Sequence, residues 1–389
     1  MEEKKIVVLG GGTGQSVLLS GLKKFPFDIT AVVSVCDDGK STGKLRKEFN
    51  VPAMGDIRRV LIALSETEDI IGQLVNYRFK TNGDFDGHTV GNIILTALTD
   101  IYGSMSKGIK KVTKILNLKG TVLPLTDDNV TLMGEMEDGS IIEGEHNITL
   151  SDKKIKRVFY KEKAKVNKEV LDKIKNSDAI ILSMGSIYTS IIPNLLCPKV
   201  LDAIDESNAK IIYICNIMSQ PGETDGFKVS DHINLLNNYL GKRKIDVVIT
   251  NTEKVSKSIQ KKYETLEQKD LIEVDDKNIK ITNIKRPLLK IEDDVIRHDS
   301  MKLGLEIMNI LTKWWKNNKN SIFLLDLFNI FMVVLICLIV IKCLPIGELA
   351  QLARASALHA GGRGFKSHIL HQLVYKSGFR IFLFWKRIK

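Results

Sequence analysis

Five short apolar runs, each delivered into a glycine-rich or polar turn, set narrow limits on what this chain folds into. They are Lys5–Leu9, Ile29–Val35, Ala179–Leu182, Ile211–Cys215 and Asp246–Thr250. Segments of helical periodicity follow them, and that alternation is the βαβ pattern of a parallel sheet. The first joint is the most telling. Lys5–Leu9 runs into Gly10-Gly11-Gly12-Thr13-Gly14 and then into the helical stretch Ser16–Lys24. A glycine turn between strand and helix aims backbone N–H groups and the positive end of the helix dipole at one point, where an anion such as phosphate is favoured. The turn does not spell the dinucleotide fingerprint GxGxxG, because Gln15 stands at the third glycine position, and it lacks the Gly-Lys-Ser/Thr ending of a P-loop. Nicotinamide and P-loop ATP readings both lose weight.

The expected fold is therefore α/β: a Rossmann-like, mostly parallel sheet with helices on both faces, over residues 1–310. Between 118 and 150 the pattern changes to alternating strands, with a hairpin turn at Glu137-Asp138-Gly139-Ser140, read as a small β insertion. A basic stretch, Lys153 to Lys175, follows and reads as a solvated face or as a docking surface for an acidic partner. Ligands of open α/β sheets lie beyond the carboxyl ends of the strands. The polar residues after the five runs should line one such crevice.

With 389 residues and 44% hydrophobic content, the chain can bury a large core. Its five cysteines form no CxxC pair and no zinc-ligand spacing, which predicts reduced, mostly buried thiols. The N-terminus lacks the charged-then-apolar pattern of a signal peptide, which points to the cytoplasm. A net charge of +11 suggests nucleic acid until its position is examined. Residues 313–389 hold 12 Lys/Arg against only Asp326 and Glu348, so the body before them is close to neutral. No nucleic-acid surface is expected.

Several loops carry candidate chemistry. Asp37 and Asp38 end the second run, where an acid would meet a ribose hydroxyl or hold Mg²⁺ beside phosphates; side-chain alternation lets only one face the ligand. Asp56 is a candidate N-cap, and Arg58 or Arg59 a candidate anion partner. His88 and Asn92, four apart between glycines, would share a helix face. Ser183 to Ser190 offers a second anion loop through Gly185, Ser186, Tyr188 and Thr189; Asn216 and Gln220 follow the next run. None of these spacings assigns a nucleophile and base, so ligand binding is the firmer expectation.

Taken in order, GGGTG, DDGKSTGKLR, GDIRR, GHTVGN, MGSIYTSIIPNLL, CNIMSQPGET and IRHDS resemble the gluconeogenesis factor family, a relative of the phospholactate (lactyl-phosphoguanosine) transferases of coenzyme F420 biosynthesis. The resemblance covers residues 5 to about 305. It implies a homo-oligomeric cytoplasmic regulator that binds a nucleotide sugar such as UDP-N-acetylglucosamine and supports cell shape and wall synthesis on gluconeogenic carbon sources. Partner proteins of wall synthesis or carbon metabolism are implied too. From the transferase relatives it implies the alternative: a phosphate-linked group transfer, with Asp37 or Asp38 near a metal. In the nucleotide-sugar reading, Arg297 would pair with a pyrophosphate, Tyr263 would stack on a base, and Ser300 is a candidate phosphorylation switch. Where the family commonly reads Gly-Pro-Gly-Ser-Leu-Tyr, this chain has Ser183-Met184-Gly185-Ser186-Ile187-Tyr188, losing a glycine and the proline.

The tail, 311–389, lies outside the resemblance. Ile322–Ile341 is long and apolar enough for a membrane segment, whereas Gly347–His371 resembles the translation of a transfer-RNA gene region and suggests a read-through.

Overall fold

A computed structural model describes residues 3–66, 69–292 and 294–312; the readings of the tail from 313 onward lie outside the described residues. The strands are β1 (Lys4–Gly10), β2 (Phe27–Val33), β3 (Thr121–Pro124), β4 (Leu132–Met136), β5 (Ile141–Glu143), β6 (Ile155–Tyr160), β7 (Ala179–Leu182), β8 (Lys210–Ile214), β9 (Val247–Asn251), β10 (Thr282–Arg286), β11 (Leu289–Glu292) and β12 (Val295–His298). Seven form one sheet in the order β10-β9-β8-β7-β1-β2-β3, and every neighbouring pair is parallel. Helices occupy the connections, giving the α/β Rossmann-like architecture. Successive strand residues face opposite sides of a sheet, yet all four residues of β7 and Ile6–Leu9 of β1 are buried, so helices cover both faces.

The strand order fixes the crevice. From β1 the chain builds outward through β2 and β3, then returns to place β7 on the other side of β1 and builds outward again through β8, β9 and β10. Connections diverge at the β1/β7 boundary, which opens a crevice at the carboxyl ends of these two strands. Gly10–Gly14 leaves one of them and Ser183–Gly185 the other.

Two strands of the main sheet were not legible as such. Thr121–Pro124 pairs with β2 as an edge, although its position in the alternating region assigns it to the insertion; four residues ending in proline carry too little pattern to tell edge strand from insertion. Thr282–Arg286 pairs with β9 at the other edge, and its polar composition suits a strand with one exposed side. The insertion itself is a three-stranded antiparallel sheet, β5-β4-β6, and its turn at Gly139 has φ +82°. It is tied to the body by Tyr160, whose hydroxyl donates to Pro193 O at 2.7 Å, and by Val158 N, which donates to Tyr239 Oη at 3.0 Å. Several cations of the basic stretch are ion-paired: Lys156 and Arg157 with Glu135, Lys161 with Glu143, Lys175 with Glu206. Cys36, Cys197 and Cys215 are buried and free.

Gln15 explains why the glycine fingerprint is broken. Its fully buried amide donates from Nε2 to Val8 O at 2.9 Å and Val32 O at 3.0 Å, fastening helix Gly12–Leu22 to β1 and β2 where a dinucleotide fold relies on bare glycine contact. Close approach occurs instead one residue earlier. A methyl group on Gly14 would stand 1.5 Å from Met184 O, a backbone atom that cannot swing aside. Gly14→Ala should therefore lose at least about 1–3 kcal/mol of stability in urea unfolding, while Thr13→Ala, at an exposed neighbouring position, should change it little.

Candidate functional site

A cavity of about 590 Å³ opens at the β1/β7 boundary, within the usual range for small-ligand pockets. Its floor is the glycine loop, with Gly11, Gly12, Thr13 and Gly14 on the wall. Gly12 has φ +65°, a left-handed conformation that suits glycine, and it starts the eleven-residue helix Gly12–Leu22. Gly10 does not reach the wall. As the last residue of β1 it accepts from Ser34 N and from the Asn194 side chain at 3.0 Å, and a Cβ there would meet Ser183 Oγ.

One carboxylate already leans into the anion position. Asp56, at the start of helix Gly55–Leu64, accepts from the Gly12 backbone and from Arg59 Nη1 at 3.0 Å. Burial and then the Asp37 charge push its carboxyl up to about 6. Asp37 lines the same wall and is held by Gly39 N (2.9 Å) and Thr42 Oγ1 (3.2 Å). Asp38 turns away: its Oδ1 accepts from His146 N at 2.7 Å, joining the strand end to helix Glu145–Leu150 of the insertion region. Adjacent residues of an extended segment point apart, so the two aspartates serve different elements. Glu145 completes the acidic side; burial, followed by the charges of Asp37, Asp56 and Asp38, pushes it up to about 8.

The loop after β7 differs from the helix N-terminus expected of it. Ile187–Ile191 is a five-residue π turn running directly into a short 3₁₀ segment, Ile192–Leu195, where Pro193 interrupts regular helix. Gly185, Ser186 and Thr189 line the cavity, and Asn216 locks the loop in place by accepting from Gly185 N (3.1 Å) and donating to Gly185 O (2.7 Å). Ser186 donates its hydroxyl to Glu223 Oε2. Burial pushes Glu223 up to about 7, against the hydrogen bonds from Ser186 and Tyr188 N. Gln220, in the same loop as Glu223, is on the wall, whereas Tyr188 is core: its hydroxyl donates to Ile155 O at 3.3 Å.

Cations come from three elements: Arg59, Lys269 and Arg297. Arg58 is not among them. One residue along a helix is a turn of 100°, which swings Arg58 into the body, where it donates to Asn92 Oδ1 at 3.1 Å and to Asn76 Oδ1. His88 and Asn92 belong to that inner cluster: His88 Nδ1 meets Ser41 Oγ at 3.0 Å, and burial holds its imidazole below the ordinary value. Tyr263 is buried, and its hydroxyl accepts from Ile296 N at 2.9 Å, steadying the strand that presents Arg297. Next to Arg297, His298 Nε2 lies 3.1 Å from Cys215 O, and Asp299 caps helix Ser300–Leu311 by accepting from Met301 N and Lys302 N. Among the described residues Arg297 has no ion-pair partner.

Glu145, His146 and Thr149 of the insertion region, Lys269, and the apolar Met218 and Ile296 also line the cavity. Sequence reasoning missed all six. Glu145, His146, Thr149 and Lys269 arrive from segments without a local motif, while Met218 and Ile296 lie inside CNIMSQPGET and IRHDS, where an apolar side chain carries no chemical signal. Among the described residues no group of three or more His, Cys, Asp and Glu is disposed to hold a metal ion, and no helix is long and apolar enough to cross a membrane.

The family profile described as 2-phospho-L-lactate transferase CofD matches residues 6–289. The gluconeogenesis factor of Halalkalibacterium halodurans is 43% identical over 312 residues, 79% of this chain and 97% of that protein. The putative gluconeogenesis factor of Thermotoga maritima is 45% identical over 317 residues, covering 80% of this chain and all of the other. The crystal structure of protein BH3568 from Bacillus halodurans superposes with a TM-score of 0.77 at 43% identity, over 79% of this chain and 100% of that one.

Two carboxyls with raised values make stability depend on pH. Glu145 and Glu223 titrate at the ordinary 4.5 when unfolded and at about 8 and about 7 when folded. Between those values the unfolded chain binds fewer protons than the folded one, so their contribution to stability falls as pH rises from about 4.5 to about 8. Urea midpoints measured across that window should decline less steeply in Glu223→Gln than in the parent protein.

Proposed function

Because this chain belongs to the gluconeogenesis factor family and carries its CofD domain over residues 6–289, we propose that it is a regulatory protein binding a nucleotide-linked sugar of the UDP-N-acetylglucosamine class. The observation that carries this reading is the convergence of a glycine-loop helix N-terminus with Arg297, a guanidinium unpaired among the described residues, on one cavity. Both are suited to phosphate oxygens, the first through N–H groups and dipole, the second through its planar fork. A cavity of about 590 Å³ leaves room for more than a phosphate. In this reading the protein works in the cytoplasm as a homo-oligomer, and bound ligand reports metabolic state to partner proteins of wall synthesis or carbon metabolism, sustaining cell shape on gluconeogenic carbon.

A second reading, a metal-dependent transferase of a phosphate-linked group, is favoured by Asp37 and Asp56. These carboxylates stand close enough that the charge of the first raises the value of the second, and Asp56 touches the glycine loop. Mg²⁺ is commonly held by one or two carboxylates with water and substrate phosphates, and this pair fits that pattern. The ion would neutralise charge on a transferring phosphate. Asp38, committed to His146 N, is not required for it.

Titration calorimetry with UDP-N-acetylglucosamine tests the first reading: Arg297→Ala should weaken binding about tenfold or more, the loss of a charge-assisted contact, with its melting temperature unchanged. Absence of binding at millimolar ligand would overturn it. For the second, lactyl-phosphoguanosine with a hydroxyl acceptor should give the phosphate-linked acceptor and the released guanosine-bearing leaving group only with Mg²⁺, and Asp37→Asn should abolish it.

A further inference from the structure

The wall opposite the glycine loop carries a run of hydrogen bonds that determines its polarity. Thr189 N donates to Ser186 Oγ at 3.0 Å, and Thr189 Oγ1 stands 2.7 Å from the same oxygen. Ser186 Oγ also contacts Glu223 Oε2, which receives Tyr188 N at 3.4 Å. Ser186 and Thr189 line the cavity, and Glu223 is buried behind them. The Thr189 hydroxyl is also hydrogen-bonded to the Glu145 carboxyl, which burial and the neighbouring acids keep protonated up to about 8.

Counting protons along this run assigns each donor. An N–H only donates, so one lone pair of Ser186 Oγ is taken by Thr189 N. The Ser186 proton then goes to Glu223 or to Thr189. Above about pH 7 Glu223 is ionised and takes it, being the stronger acceptor. Thr189 in turn gives its only proton to Ser186 and accepts that of protonated Glu145, so only a lone pair is left toward the cavity. A phosphate oxygen, itself an acceptor, has nothing to bond there and meets the charge of Asp37 on the same side. Below about pH 7 Glu223 carries a proton, and the run reverses so that Thr189 can donate outward. Apart from Ser186 and the Tyr188 amide, the charged group facing Glu223 is Asp225; those around Glu145 are Asp37, Asp56 and Asp38.

We propose that Glu223 is a positioning residue of this site: through Ser186 it turns the Thr189 hydroxyl into an acceptor, so that this wall selects a hydroxyl donor of the ligand, as on a sugar ring, and turns phosphate toward the glycine loop. The proposal rests on the nucleotide-sugar reading and adds the orientation of the ligand and the residue that imposes it.

The test compares UDP-N-acetylglucosamine with UDP as calorimetric probes at pH 8. At pH 8, Thr189→Val should weaken the sugar nucleotide about tenfold, the effect of one hydrogen bond, and leave UDP unchanged. Glu223→Ala should lower the preference for the sugar nucleotide over UDP. Glu223→Gln should keep the preference, because the Tyr188 N–H keeps the amide oxygen turned toward Ser186, a pattern that a merely structural role would not produce. Equal losses for both probes in Thr189→Val, or a preference lost in Glu223→Gln, would overturn the proposal. A ligand-free measurement separates its failure from that of the nucleotide-sugar reading. By NMR at pH 8 the Ser186 and Thr189 hydroxyl protons should be protected from exchange, and they should lose protection in Glu223→Ala. Rapid exchange in the parent protein would overturn the proposal whether or not either probe binds.

Discussion

The site depends on one close approach of main chain to main chain. Gly14, in the first turn of helix Gly12–Leu22, lies so near Met184 O that a single methyl group would collide with it. This contact brings the loop after β1 against the loop after β7, across the place where the strand order diverges. Gln15 fastens the same helix to the other neighbour, β2, its buried amide donating to the Val8 and Val32 carbonyls. Contact without side chains and a hydrogen-bonded strut together hold the glycine loop rigidly. A rigid loop loses little conformational freedom on binding, which favours affinity.

Charge around the cavity is arranged in opposition. Arg59, Lys269 and Arg297 arrive from separate elements, while Asp37, Asp56 and Glu145 gather near strand ends and the insertion. Like charges at close range disfavour joint ionisation, and burial disfavours each one singly; Asp56 and Glu145 respond by holding protons to higher pH. Asp56 is both a partner of Arg59 and an occupant of the glycine loop's anion position. A phosphate arriving there competes with it, unless a cation or a proton intervenes. Binding at this site is thus coupled to ionisation, in the nucleotide-sugar reading as in the transferase one.

Much of this was legible in the residues. The joint at Gly10–Gly14 and the runs that became β1, β2, β7, β8 and β9 carry their own pattern, because a strand buried on both faces must be continuously apolar. The edges β3 and β10 were not legible, since a short or polar strand owes its existence to the neighbour it pairs with. Site residues divide the same way. Asp37, Gly185 and Asn216 come after strands and reach the wall; Arg58 and Asn92 sit in equally suggestive motifs but turn toward each other inside the body, and His88 turns to Ser41. Which side of a helix faces a cavity is decided by packing, and adjacent Arg58 and Arg59 differ only in that.

Local chemistry, then, determined the class of the protein: a strand, a glycine turn and a helix can be joined in few ways, and the turn's N–H groups favour an anion wherever the fold places them. Tertiary structure alone decided what stands around that anion. Glu145 and His146 come from a β insertion more than a hundred residues away in sequence, and Glu223 acts on the wall only through the hydroxyl of Ser186. Such relations depend on distances of a few ångströms between segments with no pattern in common. A sequence records the groups that can interact, and folding alone sets which of them meet.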